Sequence, residues 1–364
     1  MIARAERVVL VAAVALAVAG WPGIGASQGT PPASSSPPSS SGSAEGESDG
    51  IALLRASMSA RRRNSYVGQV EMIRWGPSGA SASIAKIEHL APDRTHRIYV
   101  APADVYGDSV VIRGAEMISY DNRHQKAVIS HGPVYNTTTF MNNNFELLVA
   151  NYRPILGAPD EIAGRPAIPC SLINRYTGER VMRLWIDRAT KLVLQRETYH
   201  ANGTLGTRLQ FDHIRFTSAI QPRVFSTGIP QGFSVVQGRT SGTPSTNLEA
   251  TLKAAGFTPA SPHYLPEGFT IMAGDVTVVK GVKTLHLLYS DGLRSLSLFE
   301  NASGAAADFG ALKPIPTKVE DHEAKYVSDG PTLLLAWKES GLALALVGDL
   351  ELKELQAIAA SVIP

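Results

Sequence analysis

A run of alternating apolar and polar residues at positions 180–216 constrains the fold of this chain more than any other feature. Three segments, 180–186, 192–200 and 205–216, follow this period of two, which is typical of strands that bury one face. Asn202-Gly203 separates the last two segments, and this dipeptide marks hairpins because both residues tolerate positive φ. The pattern therefore predicts a three-stranded antiparallel meander.

The same alternation occurs in the residues that precede the meander. Residues 51–62 are an exception, because Ile51, Leu54 and Met58 are spaced for one face of a helix. A second short helix is predicted at 145–152, where Asn144 is a suitable N-cap. We therefore expect one large antiparallel sheet with a helix at its start and another inserted. The other predicted strands are 65–75, 84–89, 96–100, 109–112, 117–120 and 127–130.

A second body follows residues 219–247, which are rich in Pro, Gly, Ser and Thr and are interpreted as a connector. Strands flanked by helices indicate an α+β fold for this body. Its predicted helices are 248–255 and 349–361. Its predicted strands are 276–279, 284–289, 293–300, 326–327, 332–338 and 342–347.

The first 48 residues are predicted to lie outside both bodies. Arg4 and Arg7 precede twelve apolar residues at 8–19, the order found in a secretory signal. The run is short for a permanent membrane span, although an uncleaved inner-membrane anchor is left open. We expect a periplasmic protein with five segments. These are a signal peptide (1–26), a disordered Ser/Pro-rich tether (27–48), a first domain (49–218), a connector (219–247) and a second domain (248–364).

Composition and motifs argue against several functions. The 34 Lys and Arg residues barely exceed the 32 Asp and Glu residues, so we expect no nucleic-acid partner. Cys170 is the single cysteine, which excludes an intramolecular disulfide, and it is interpreted as a small buried apolar residue. The sequence lacks the common nucleotide, hydrolase and metalloprotease motifs, and its nine histidines are dispersed. We expect no catalytic residue, no metal and no cofactor.

Two basic features allow more than one interpretation. Arg61-Arg62-Arg63 is suited to phosphate head groups, but such a triplet is more often a solvated helix end. His89 and His96 are placed to meet across a hairpin, yet packing or surface roles are more common for such histidines than metal ligation.

Both bodies resemble a known family. In the first, the similar segments are Leu184-Trp185-Ile186-Asp187, residues 192–199, Asn202-Gly203 and residues 66–70. In the second, they are residues 265–269 (LPEGF), 289–293 (YSDGL) and 296–300 (LSLFE). Their order and spacing resemble the periplasmic MucB/RseB proteins, whose N-terminal domain is similar to the lipoprotein carriers LolA and LolB.

The resemblance implies a non-enzymatic regulator of an extracytoplasmic-function sigma factor, peripheral to the membrane. Such a protein binds the periplasmic segment of a membrane anti-sigma factor, shields it from proteolysis and responds to lipidic material. The implied N-terminal fold is a half-open antiparallel barrel wrapped around helices, followed by a smaller α+β domain. A soluble lipid or lipoprotein carrier is the alternative, a secreted hydrolase is a third hypothesis, and a homo-oligomer is left open.

Large apolar residues on alternating strand positions are compatible with an apolar cleft for acyl chains. Each of them is also compatible with an ordinary core position. The candidate cleft residues are Ile73, Trp75, Ile98, Val100, Ile112, Phe145, Leu148, Trp185, Leu194 and Phe211.

Overall fold

The chain folds into two compact units in a computed structural model. The described part of the first unit ends at residue 240, and that of the second begins at residue 245. The structure describes residues 44–76, 79–131, 144–240, 245–279, 282–304, 307, 309, 312–329 and 332–363. The predicted signal peptide and most of the predicted tether lie outside these residues.

The first unit is built on one sheet of thirteen strands among its described residues. The strands are β1 (Tyr66–Gly76), β2 (Gly79–Leu90), β3 (Arg94–Ala101), β4 (Ser109–Arg113), β5 (Glu116–Asp121), β6 (Lys126–His131), β7 (Tyr152–Leu156), β8 (Asp160–Ile162), β9 (Arg165–Asn174), β10 (Arg180–Asp187), β11 (Val193–Tyr199), β12 (Leu205–Phe216) and β13 (Ser234–Thr240).

The strand order in this sheet is β13-β6-β5-β4-β3-β2-β1-β12-β11-β10-β9-β7, with β8 paired to β9. All described pairs are antiparallel except β13 with β6, which is parallel. The predicted meander is confirmed as β10, β11 and β12. The order does not return to its starting strand, so the sheet is open, in agreement with the predicted half-open form.

Three α-helices accompany this sheet in the described residues: α1 (Ala44–Met58), α2 (Ala60–Arg63) and α3 (Phe145–Asn151). Helix α1 begins inside the segment predicted to be a tether, so residues 44–48 are helical and the prediction of disorder is wrong for them. Glu45 and Glu47 lie in its first turn, where carboxylates stabilise the helix dipole. Glu47 also forms an ion pair with Arg175.

The two faces of the first sheet differ in what covers them. Val70 lies opposite Phe211, and the Tyr66 ring meets the Phe211 ring edge-on at 5.7 Å. His89, opposite Tyr66, contacts the backbone carbonyl of Arg61 in α2. We call this side the helix face and the opposite side the outer face.

The predicted connector is wrong for most of its length, because residues 220–240 belong to the first unit. A 3₁₀ turn at Pro222–Phe225 buries Phe225 to 2% exposure. The Tyr120 hydroxyl donates a hydrogen bond to the carbonyl of Gly228 at 3.3 Å. Strand β13 then pairs with β6. The turn-rich residues before β13 therefore form an irregular segment that packs on the first sheet and do not connect the two units.

In its described residues the second unit is a seven-stranded antiparallel sheet covered by two helices, which confirms the predicted α+β domain. The order β15-β16-β17-β21-β20-β19-β18 is accompanied by a small pair, β14 with β22. Its elements are α4 (Leu248–Ala255), β14 (Ser261–Pro262), β15 (Thr270–Val279), β16 (Val282–Ser290), β17 (Ser295–Asn301), β18 (Ile315–Val319), β19 (His322–Asp329), β20 (Thr332–Glu339), β21 (Leu342–Gly348), α5 (Leu352–Ala360) and β22 (Val362–Ile363).

The helices of the second unit complete its main core. Leu355 and Ile358 of α5 are buried with Leu298, Leu335 and Leu346 of the sheet. Buried apolar residues spaced along one helix face explain why α5 forms against the sheet. The core therefore lies between the sheet and its helices.

Candidate functional site

Helix α2 is fixed to the helix face by a buried histidine. His89 is fully buried, and its Nδ1 lies 2.9 Å from Thr95 Oγ1 while its Nε2 lies 2.9 Å from the carbonyl oxygen of Arg61. The guanidinium of Arg61 donates to the same Thr95 hydroxyl at 2.6 Å. Burial, reinforced by the nearby Arg61 charge, lowers the pKa of His89 to about 4. The histidine therefore has the packing role that the sequence favoured.

Part of the predicted cleft lies on the helix face. Phe211 lies opposite Val70, and Leu194 shares its face through the continuous register of β11 with β12. Ile112 lies opposite Thr95, the partner of His89. Leu194 and Phe211 are buried, and Ile112 is half-buried.

Two more candidates lie on α3, where Phe145 and Leu148 are both buried. The guanidinium of Arg55 in α1 lies 4.0 Å from the centre of the Phe145 ring. These two residues, with Leu194 and Phe211, are core positions in this structure. An acyl chain would have to replace some of their existing packing contacts.

The remaining strand candidates do not join this group. Ile73 lies three positions after Val70 on β1, and Trp75 lies two further on, so both belong to the outer face. Ile98 lies opposite Lys86 and Trp185 opposite Gln195, which are also outer-face positions. Val100 lies at a register irregularity between β2 and β3. A single cleft lined by all ten residues is therefore not formed.

The Leu-Trp-Ile-Asp segment builds a turn. Asp187 is buried and accepts hydrogen bonds from Arg165 Nε at 2.7 Å and from the backbone N–H of Thr190 at 2.7 Å. Burial alone would raise the pKa of Asp187, but these hydrogen bonds outweigh it and lower the pKa. The Trp185 indole donates to Asp160 at 2.8 Å. Arg165 and Asp160 were not identified from the sequence, because nothing local links them to this segment.

The second similar segment also has a structural role. Asp291 is buried in the β16–β17 turn, where it accepts from the backbone N–H of Arg294 at 2.7 Å and from Arg294 Nε at 2.9 Å. The same guanidinium lies 5.3 Å from the centre of the Phe269 ring, which joins residues 265–269 to residues 289–293. The interpretation of Asp291-Gly292 as a hairpin turn is confirmed, with Gly292 at φ 92°.

One carboxyl group of the second unit lies in an apolar setting. Glu300 is fully buried on β17, between Leu285 and Leu344 of the neighbouring strands. Its Oε2 accepts the backbone N–H of Ala260 at 2.7 Å, and its Oε1 has no hydrogen-bond partner among the described residues. Burial raises the pKa of Glu300 to about 7. Periodicity alone gave no sign of this charged residue at a core position.

A hydrogen-bonded row of Asp, His and Ser crosses β15, β16 and β17. His286 Nδ1 lies 3.3 Å from Asp275 Oδ2, and His286 Nε2 lies 2.9 Å from Ser297 Oγ. The imidazole is buried and stacks on the Phe299 ring at 4.5 Å. The contacts of this row therefore join three neighbouring strands.

Other reactive groups are few in the described part of the chain. Cys170 is buried, and burial raises the pKa of its thiol to about 12. Within the described ranges, no group of three or more His, Cys, Asp or Glu side chains is arranged to hold a metal ion. None of the helices placed by the structure is long and apolar enough to span a bilayer.

Comparison with protein families gives a direct match to the first unit. Residues 50–229 match the model described as the MucB/RseB N-terminal domain. No curated protein matches the chain.

Solved structures extend the similarity to both units. A crystal structure of MucB in complex with MucA(peri) is 19% identical, covers 87% of this chain and 99% of its own, and has a TM-score of 0.58. The Pseudomonas aeruginosa MucA/MucB complex is 18% identical with the same coverage and a TM-score of 0.57. A structure of MucB alone is 20% identical, covers 89% and 99%, and has a TM-score of 0.49.

Proposed function

The chain belongs to the MucB/RseB family, and from this premise we propose that it regulates an extracytoplasmic-function sigma factor. In this proposal it binds the periplasmic segment of a membrane anti-sigma factor and shields that segment from proteolysis. The supporting observation is the similarity of this chain, over 87% of its length, to MucB in complex with MucA(peri). Neither unit alone makes up 87% of the chain, so the similarity includes both units.

We propose that this regulator is not an enzyme. The carboxylates of both family-like segments, Asp187 and Asp291, are engaged by arginines and backbone N–H groups within their own turns. The His286 imidazole is buried against Phe299. These contacts hold turns and strands together, which is what a binding protein requires of them.

The proposal includes export to the periplasm, directed by residues 1–26. Mass spectrometry of the protein recovered from its compartment would show whether cleavage occurs near residue 26 or whether the segment stays as an anchor. A homo-oligomer also stays a prediction, which light scattering of the purified protein would check.

Lipid sensing is the finer part of the proposal. Its residues are the helix-face group and the α3 pair described above, namely Ile112, Leu194, Phe211, Phe145 and Leu148. Native mass spectrometry should show lipid retained by the purified protein or extracted from vesicles. Protein that stays empty in both tests would contradict lipid sensing and also the alternative of a lipid or lipoprotein carrier.

The regulatory proposal is tested by the lifetime of the anti-sigma factor in cells. Deleting the gene for this chain should shorten that lifetime and raise transcription from promoters of the sigma factor. Re-expression of the chain should restore both. An unchanged lifetime in the deletion strain would contradict the proposal.

A further inference from the structure

Exposed arginines collect at one end of the first sheet, which we call the basic end. This end is where β1 and β3 begin and where β2, β4, β10 and β12 finish. Helix α2 is joined to it, because Asn64 donates a hydrogen bond to the carbonyl of Thr190 in the β10–β11 turn. Its exposed arginines without a described side-chain partner are Arg62, Arg94, Arg113, Arg188 and Arg215.

Two of these arginines repel each other by their position in the sheet. Arg94 lies directly opposite Arg113 in the β3–β4 pair, and like charges in that arrangement destabilise a sheet. Asp93 and Glu116 are the acidic residues beside them, and Glu116 lies 3.9 Å from His131. Glu116 lies directly opposite Arg113 in the β4–β5 pair, so the fold keeps two facing arginines at this surface with Asp93 and Glu116 next to them.

The opposite end of the same sheet has no such excess. Its turns and the first and last residues of its strands carry four acidic and four basic residues in the described part of the chain. The acidic residues are Asp104, Asp108, Asp121 and Glu179, and the basic residues are Arg123, Lys126, Arg175 and Arg180. The positive charge is therefore specific to one end and is hidden by the balanced net charge of the whole chain.

The basic end is also poor in apolar anchors. Among the described residues of the first unit, the exposed large hydrophobic ones are Tyr106 and Tyr176, which lie at the opposite end, and Val235 and Val236 on β13. Tight protein interfaces usually centre on buried aromatic or apolar anchors. A surface of separated arginines without such anchors suits an extended sheet of negative charge better than a folded partner.

We propose that the basic end docks onto the surface of an anionic phospholipid bilayer. Six strand spacings separate Arg113 on β4 from Arg188 after β10, about 29 Å along the sheet. Arginines spread over that distance can contact several phosphate groups at once. Docking would hold the first unit at the membrane independently of its binding to an anti-sigma segment.

The test uses the full chain and sedimented vesicles of two compositions, pure phosphatidylcholine and a mixture with about a third phosphatidylglycerol. The N-terminal segment, with Arg4, Arg7 and the apolar run at 8–19, is present in every protein compared, so the double variants below assign the charge-dependent binding to the basic end. Stronger binding to the anionic vesicles is expected, and it should weaken with added salt because surface charges are screened. Each arginine near an anionic surface contributes about fivefold in affinity.

The double variant R94S/R113S should therefore lose about 25-fold in binding to the anionic vesicles. It should remain folded, because the change removes a like-charge pair. The matched control is R123S/K126S at the opposite end, which removes the same charge and should bind as the parent does. Both variants should still bind the anti-sigma segment in solution, which separates this test from that of the proposed function.

Three results would overturn the proposal. The first is equal binding to both vesicle compositions, and the second is an equal loss in the two double variants. The third is competition by soluble polyglutamate as effective as that by anionic vesicles, which would assign the basic end to an acidic protein segment.

Discussion

At the scale of single residues, Glu300 links the stability of the second unit to pH. Its carboxyl is buried beside Leu285 and Leu344 with one oxygen unpaired, and its pKa is raised to about 7. The folded protein therefore holds this proton more tightly than the unfolded chain does. The resulting stabilisation is fully present below the ordinary glutamate pKa and is lost as the pH rises through about 7.

We predict that Glu300→Gln stabilises the second unit at pH 8 by about 2–3 kcal/mol, because it removes a buried charge and keeps an acceptor for Ala260 N–H. Thermal unfolding between pH 5 and pH 8 is the measurement. The parent should lose stability across this range, and the variant should change less. The exposed Glu323→Gln variant is the control, and equal pH profiles for all three proteins would contradict the prediction.

His89 gives the opposite pH dependence in the first unit. Its pKa is lowered to about 4 by burial, so the folded state binds its proton less readily than the unfolded chain does. The stabilisation it provides is present above the ordinary histidine pKa and is lost as the pH falls toward 4.

We predict that His89→Gln weakens the first unit at pH 7 by about 1–3 kcal/mol, because buried hydrogen bonds to Thr95 and to the Arg61 carbonyl are disturbed. The variant should also lose less stability than the parent between pH 6.5 and pH 4. Hydrogen exchange of β1 and β2 amides against pH would measure both effects. His124→Gln, at an exposed turn, is the control, and an unchanged acid profile in His89→Gln would rule out this role.

At the scale of secondary-structure elements, residues 220–240 extend the first unit beyond the meander. Phe225 is buried in the 3₁₀ turn, and β13 adds a parallel strand beside β6. A parallel neighbour more than a hundred positions away leaves no mark in local periodicity. Turn-rich composition therefore suggested a connector where the chain returns to its own sheet.

We predict that Phe225→Ala destabilises the first unit by about 3–5 kcal/mol, the usual cost of removing a buried phenyl ring. Val236→Ala, at a 41% exposed position of β13, should cost much less. The free energies of unfolding of the two variants would be compared in denaturant, with unfolding followed by the NMR signals of backbone amides in the first unit. Similar small losses in both variants would show that this segment is a connector after all.

Local signals predicted the hairpins well and the strands between them poorly. Alternation and turn residues located β1 to β6 and β10 to β12, because each pairs with a neighbour in sequence. Strand β9 was missed although it pairs with β10, its neighbour in sequence, because Pro166 and Pro169 argue against a strand interior. Within one strand, alternation shows which residues share a face. It does not show which face of one strand lies on the same side of the sheet as a given face of another strand. Pairing register, which placed Trp185 and Leu194 on opposite faces, supplies that relation.

At the scale of the whole molecule, the balanced composition conceals two folded units with separate chemistry. The first unit has a helix face of buried apolar residues and a basic end. The second unit has the buried carboxyl of Glu300 and the β16–β17 turn held by Asp291. The resemblance that located both units depended on turn residues such as Asp187 and Asp291, whose contacts are structural. Such residues identify the family and its fold, while the partner surface has to be found by experiment.

Binding of the anti-sigma segment is the central claim, and isothermal titration calorimetry tests it most directly. The full chain would be titrated with the periplasmic segment of a membrane anti-sigma factor from the same organism. We predict saturable binding that is complete at tens of micromolar protein and is retained in the R94S/R113S variant. The absence of binding at those concentrations, with both units shown to be folded, would contradict the account.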